Sequence, residues 1–168
     1  MTLVLGIDPG SRRCGYGVVR SEGPRLSYVA AGVIDVGTKR PLAARLVEIG
    51  EELSEVCNEV QAQRQPGEPV AAGIESGYVD GHGATALVLG AARGVALYVV
   101  ASAFGCEVRQ YEPSTVKKAA TGSGKADKAQ VARMVALRLR MKREPTSDAA
   151  DAIAIAITRA QDAREDVR

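Results

Sequence analysis

Apolar residues run without a break from Leu3 to Leu5 and resume at Ile7, and the run stops on a carboxylate in "LVLGIDPG" (3–10). A short apolar run bounded by a Pro-Gly turn predicts a buried strand. "CGYGVVR" (14–20) and "RLSYVAAGVIDV" (25–36) are rich in Val, Tyr and Ile and are separated by "SEGP". They predict two further strands of a meander. Pro41 then opens a helix. Leu42, Leu46, Ile49, Leu53, Val56 and Val60 recur at steps of three and four, giving one apolar stripe. "RQPGEP" ends it, and "VAAGIE" (70–75) predicts a fourth strand that again closes on a carboxylate.

The segment "GATALVLGAARGVALYVVASAFG" (83–105) carries Arg93 as its single charge. Its length meets the requirement for a membrane span. The mid-segment charge and the lack of a second such segment argue instead for a helix covered on more than one side. In so short a chain the second cover is expected to be a partner subunit, approaching closely at Gly90 and Gly94. "CEVRQY" (106–111) predicts a fifth strand, and "EPSTVKKAATGSGKADK" (112–128) reads as a polar, basic connection. Helices are predicted over 128–141 and 148–161, divided by "REPTS". Three strands, helix, strand, helix, strand and helices predict a mixed α/β sheet with helices on both faces.

Composition adds bounds. The 168 residues suit one domain, expected to occupy 1–162 with a short tail at 163–168. Three scattered cysteines, Cys14, Cys57 and Cys106, make neither a disulfide framework nor a zinc spacing. The chain opens directly on a strand, without a signal pattern, so a cytoplasmic protein with no membrane association is expected. The net charge of +2 is unevenly placed. Residues 109–143 hold ten Lys/Arg against two acids, so +8, and the rest holds 12 against 18, so −6. Such asymmetry fits either a solvated helix face or a surface for a polyanion.

Asp8 and Glu75 share a context: "GID" and "GIE" both close an apolar strand. Were those strands parallel neighbours, both carboxylates would emerge at one edge of the sheet, where open α/β folds bind ligands. Asp148 and Asp151 in "DAADAIAIA" are three residues apart and share a helix face. Asp148 also suits a helix first turn. Asp151 lies among positions expected to be buried, where a carboxylate needs a partner or a metal. Four carboxylates without a histidine pattern suit hard cations such as Mg²⁺ or Mn²⁺. Two such ions can clamp the attacking and leaving oxygens of a phosphodiester.

"GSGKA" lacks the first glycine of a phosphate-binding loop, which is Ala119 here, and has Ala126 where Ser or Thr would bind Mg²⁺. His82 is the single histidine, which excludes a histidine cluster or triad.

"GIDPGSRRCGYGVV", "IES" before Tyr78, "ALVLGAARGVA" and "DAADAIAIA" together resemble the RuvC-type Holliday junction resolvases, from Leu3 to about Arg159. The resemblance implies an RNase H-like fold with a five-stranded mixed sheet, a homodimer, and paired metal-dependent nicks in four-way junction DNA. It implies catalytic, metal-binding roles for Asp8, Glu75, Asp148 and Asp151, with two ions per site and Asp8 bridging them. Glu75 would hold the ion on the leaving-group side, and Asp148 and Asp151 the ion that activates water. Tyr78 corresponds to an aromatic that wedges into the base stack. Lys117 and Lys128 correspond to phosphate-binding lysines. Lys118, Lys125, Arg12 and Arg13 are further DNA-binding candidates. The RuvAB branch-migration complex is the implied partner. The tail "RAQDAREDVR" is mixed in charge where some members end in a basic tail, and the Asp148 position varies in type within the family. Three other readings compete. An RNase H-like nuclease acting on RNA would share Asp8 and the metal site. A sugar-kinase or actin-like ATPase needs two such domains and a longer chain. A non-catalytic junction binder would not need the acidic set, which repels DNA unless metals intervene.

Overall fold

The computed structural model describes residues 1–77 and 83–165. Strands β1 (Thr2–Asp8), β2 (Arg13–Glu22) and β3 (Arg25–Asp35) form an antiparallel meander. Helix α1 (Leu42–Ala62) leads to β4 (Val70–Glu75), and α2 (Gly83–Phe104) leads to β5 (Val108–Tyr111). Three helices follow: α3 (Pro113–Thr121), α4 (Lys128–Arg138) and α5 (Ser147–Glu165). The strand order is β3-β2-β1-β4-β5, with β4 parallel to both β1 and β5. The expected mixed five-stranded sheet is present.

The pleat sends alternate residues to opposite faces. Leu3, Leu5, Ile7, Ala72 and Ile74 join a core with Ile49, Leu53 and Val60 of α1 and Ala96 and Val100 of α2. Val4 and Ala71 join a second core on the other face, with Val116 of α3, Val131 and Val135 of α4, and Ile153, Ile155 and Ile157 of α5. Helices therefore cover both faces.

The region 112–128 departs from the expected connection: residues 113–121 are helical. Pro113 occupies the first turn, Val116 and Ala120 are buried one turn apart, and Gly122 closes the helix at φ 86°. Two glycines (Gly122 and Gly124) and scattered lysines masked that two-residue apolar face. Helix α4 ends at Arg138, before the expected 141, and Arg140 has left-handed backbone (φ 52°). Asp127 caps its start through a reciprocal capping box with Gln130.

The second apolar face of α2 is uncovered in the single chain. Ala92, Ala96 and Val100 are buried, while Leu87 is 77% and Tyr98 74% exposed. A Cβ at Gly90 or Gly94 would meet open space. The helix is long and apolar enough to cross a membrane by length and composition alone. Arg93 faces the protein, where Nε donates to the Glu75 carbonyl (3.3 Å) and Nη2 donates to Gln110 Oε1.

Candidate active site

The parallel register pairs Gly6 with Gly73 and Ile7 with Ile74, so Asp8 and Glu75 follow at neighbouring strand ends. Both belong to the alternation that faces α5. Antiparallel pairing sets Asp8 opposite Gly15.

A strip of glycines decides how closely α5 lies on this face. A Cβ on Gly6 would fall 2.2 Å from the Ala152 carbonyl oxygen, and one on Gly17 would fall 2.6 Å from the Ile153 nitrogen. A Cβ on Gly15 would fall 2.3 Å from the Asp148 carbonyl oxygen and 3.4 Å from Asp8 Cβ. No side chain fits at these distances, so the α5 backbone rests directly on β1 and β2. That contact sets the first turns of α5, with Asp148 and Asp151, beside Asp8. The same glycines read as turn and strand residues in the sequence. Their signal was the recurrence of Gly6, Gly15 and Gly17 inside largely apolar strand segments.

Electrostatics show the convergence. Burial, then the charges of Glu75, Asp151 and Asp148, push the Asp8 carboxyl up to about 7, and Lys128 opposes them. Glu75 is raised chiefly by burial and then by Asp151; Lys117 and Lys128 pull it down, and Glu112 raises it. Asp151 is raised by burial, against Lys128. Lys128 Nζ lies 3.4 Å from Asp151 Oδ2, and this pairing raises the lysine. Asp151, expected to be buried, is only partly so, because its carboxylate opens toward Lys128.

The outer carboxylate has its own cation. Arg13 Nη1 lies 3.5 Å from Asp148 Oδ2, and Arg13 Nε donates to Asp35 Oδ2 at 2.9 Å. Asp35 Oδ1 accepts from the Gly37 N–H at 3.1 Å. No local signal marks this chain of contacts, because Arg13 and Asp35 meet only through the β2/β3 register. Beyond Glu75, Ser76 Oγ donates to Glu112 Oε1 (2.8 Å) and the Ser76 N–H donates to the Tyr111 carbonyl (2.8 Å).

Of the DNA-binding candidates, Lys128 and Lys117 act on the carboxylates, and Arg13 touches Asp148 directly. Lys118, Lys125 and Arg12 are exposed and form no ion pair among the described residues. Tyr78 and His82 lie outside the described residues.

The donor set is all oxygen and mutually repulsive, which is the chemistry a hard divalent cation relieves. Among the described residues no three Asp, Glu, His or Cys side chains are arranged to hold one ion together. Lys128 and Arg13 engage the two outer carboxylates instead.

The family model of crossover junction endodeoxyribonuclease RuvC matches residues 4–159. A crossover junction endodeoxyribonuclease RuvC from Bradyrhizobium sp. (strain BTAi1) is 45% identical over 157 residues, covering 94% of this chain and 85% of the relative. One from Sorangium cellulosum is 46% identical over 155 residues, covering 92% and 82%. The solved structure of Thermus thermophilus RuvC in complex with Holliday junction substrate superposes with a TM-score of 0.85 at 33% identity, covering 99% of this chain and 97% of that one.

Proposed function

The chain belongs to the RuvC family of crossover junction endodeoxyribonucleases, and from that premise we propose how its own residues resolve a four-way DNA junction. The observation that carries the reading is the placement of four carboxylates at one sheet edge: the β1/β4 register sets Asp8 beside Glu75, and the Gly15 contact seats the first turn of α5, with Asp148 and Asp151, beside Asp8, whose carboxyl is pushed up to about 7. Asp8, Glu75, Asp148 and Asp151 would hold two Mg²⁺ or Mn²⁺ ions. Bound there, such ions supply Lewis acidity and a water ionised near neutral pH.

The residues around them do the positioning. The Arg93 bond to the Glu75 carbonyl and the Ser76 bonds to 111–112 fix the end of β4. The glycine strip fixes α5. Lys128 and Lys117 offer charge to the backbone phosphates of the cut strand once the carboxylates are neutralised. Lys118 and Lys125 add to the same positive border. Tyr78 wedges into the base stack near the junction centre, where stacking on an aromatic is worth about 1–3 kcal/mol. The reaction is hydrolysis by water with inversion at phosphorus, leaving 5′-phosphate and 3′-hydroxyl ends.

One nuclease domain over 1–162 carries this chemistry. Two copies pack through the exposed face of α2 (Leu87, Gly90, Gly94, Tyr98) and present two sites to strands of like polarity, giving paired symmetric nicks. The protein works in the cytoplasm with the RuvAB motor. The test compares cleavage of a mobile four-way junction with a matched linear duplex and an RNA duplex, in Mg²⁺, Mn²⁺ and EDTA. Paired nicks in the junction alone, lost in EDTA, are the expected outcome. Equal cutting of all three substrates would instead mark a general RNase H-like nuclease. Junction binding with no metal-dependent cut would mark a binding module.

A further inference from the structure

We propose that the cleft between the β1–β2 turn and the β3–α1 loop is a second phosphate site, binding the DNA backbone on the side of the carboxylates opposite Lys128. The proposal rests on the nuclease reading above and deepens it. The cleft measures about 520 Å³ and is lined by Arg12, Val36, Gly37, Thr38, Lys39 and Arg40. Three of its six lining residues are cations, drawn from two separate loops.

The cleft is held in shape. The Val36 N–H donates to the Arg12 carbonyl at 3.0 Å, joining the two loops. Arg45 Nη1 of α1 donates to the Ser11 carbonyl at 2.7 Å. Gly37 turns the second loop at φ 64°, and its N–H is bonded to Asp35. The acids nearby already have partners. Asp35 binds Arg13, and Glu48 binds Arg40. Arg12 and Lys39 are exposed and have no ion-pair partner among the described residues. Two cations outside any close ion pair therefore line the cleft, although the Arg12 charge also acts on Asp35.

The ligand class follows from the lining. It has no aromatic face on which a base could stack, so the cleft is suited to the sugar-phosphate backbone rather than to base readout. Its position completes the case. Gly37 of the lining donates to Asp35, Asp35 binds Arg13, and Arg13 touches Asp148, so three successive contacts join the cleft to the outermost carboxylate on the β2–β3 side. Lys128 borders them on the α4 side through Asp151. A strand crossing the carboxylates meets positive charge on both sides. The cleft would receive the stretch of backbone leaving the site toward a duplex arm.

The test measures junction binding in EDTA, where no cutting interferes, as a function of salt. Wild type is compared with Arg12→Gln/Lys39→Gln. The substituted side chains are exposed, and circular dichroism confirms that the variant is folded. Each lost phosphate contact removes about 0.9 from the slope of log K against log salt, so the double variant is expected to lose about 1.8, with roughly tenfold weaker binding at moderate salt. Junctions with single methylphosphonates on the strand flanking the cut then locate the contact. One or two positions weaken wild type but leave the double variant unaffected. An unchanged affinity and slope in the variant, with wild type still cutting the junction, would overturn the cleft and leave the nuclease reading intact. A lowered slope with no methylphosphonate position specific to wild type would also overturn it, as a general charge effect. Failure of wild type itself to bind or cut a junction would instead remove the nuclease reading.

Discussion

Replacing Asp8 with Asn should make the metal-free protein more stable, and the gain should grow with pH. The carboxyl lies against Glu75, Asp148 and Asp151 in a mostly buried position, and its folded value stands at about 7 against an ordinary 3.8. A raised acid binds its proton more tightly in the folded chain than in the unfolded one. The cost of ionising it is therefore absent below pH 3.8, builds as pH rises toward 7, and is complete above that. A shift of about three units at 1.36 kcal/mol each corresponds to about 4 kcal/mol as an upper bound. Of this, about 2–3 kcal/mol accrues between pH 5 and pH 8. Asn is isosteric and stays neutral, so it escapes the cost at every pH. Urea unfolding of both proteins in EDTA, near pH 5 and near pH 8, reads the difference directly. The Asn variant should lead by a margin that widens by at least about 1 kcal/mol across that range, allowing for relaxation of the site. Added Mg²⁺ should stabilise wild type more than the variant. A variant less stable than wild type at pH 8, or a margin that does not change with pH, would refute the reasoning that the carboxylates crowd one another.

Gly15→Ala should lower junction cleavage by about a hundredfold, because its Cβ displaces the first turn of α5 and misplaces Asp148 by a fraction of its contact distance; circular dichroism should show the fold retained. Lys128→Met should weaken junction binding and reduce its salt slope by about 0.9, read by fluorescence anisotropy. Leu87→Asp/Tyr98→Asp should shift the sedimentation coefficient from dimer to monomer, since both side chains lie on the uncovered face of α2; an unchanged dimer would move the interface elsewhere.

The strands and the carboxylate edge were legible because each signal was local. Alternation and turn residues marked β1 to β4, and the repeated pattern of a strand closing on a carboxylate put Asp8 and Glu75 at one edge provided the two strands were parallel neighbours, as β1 and β4 are. Asp148 and Asp151 were legible from helix spacing. Helix α3 was not, since its buried face consists of Val116 and Ala120 alone and Gly122 and Gly124 follow it directly. The closeness of α5 to the sheet was also hidden. A glycine chosen for the room it leaves to another backbone looks the same in sequence as one chosen for a turn. The cations on the outer carboxylates were hidden for a further reason: Arg13 lies 135 positions from Asp148, and only the finished packing joins them.

The most direct test of the central claim is cutting of a four-way junction by wild type and Asp8→Asn side by side, with junction binding followed on the same samples. The carboxylate edge as metal-dependent nuclease centre predicts paired cuts by wild type in Mg²⁺ or Mn²⁺ and none in EDTA. It predicts a loss on the order of a thousandfold in the variant, equivalent to about 4 kcal/mol of transition-state stabilisation, with binding retained. Wild-type cutting in EDTA, or cutting by Asp8→Asn at the wild-type rate, would contradict it.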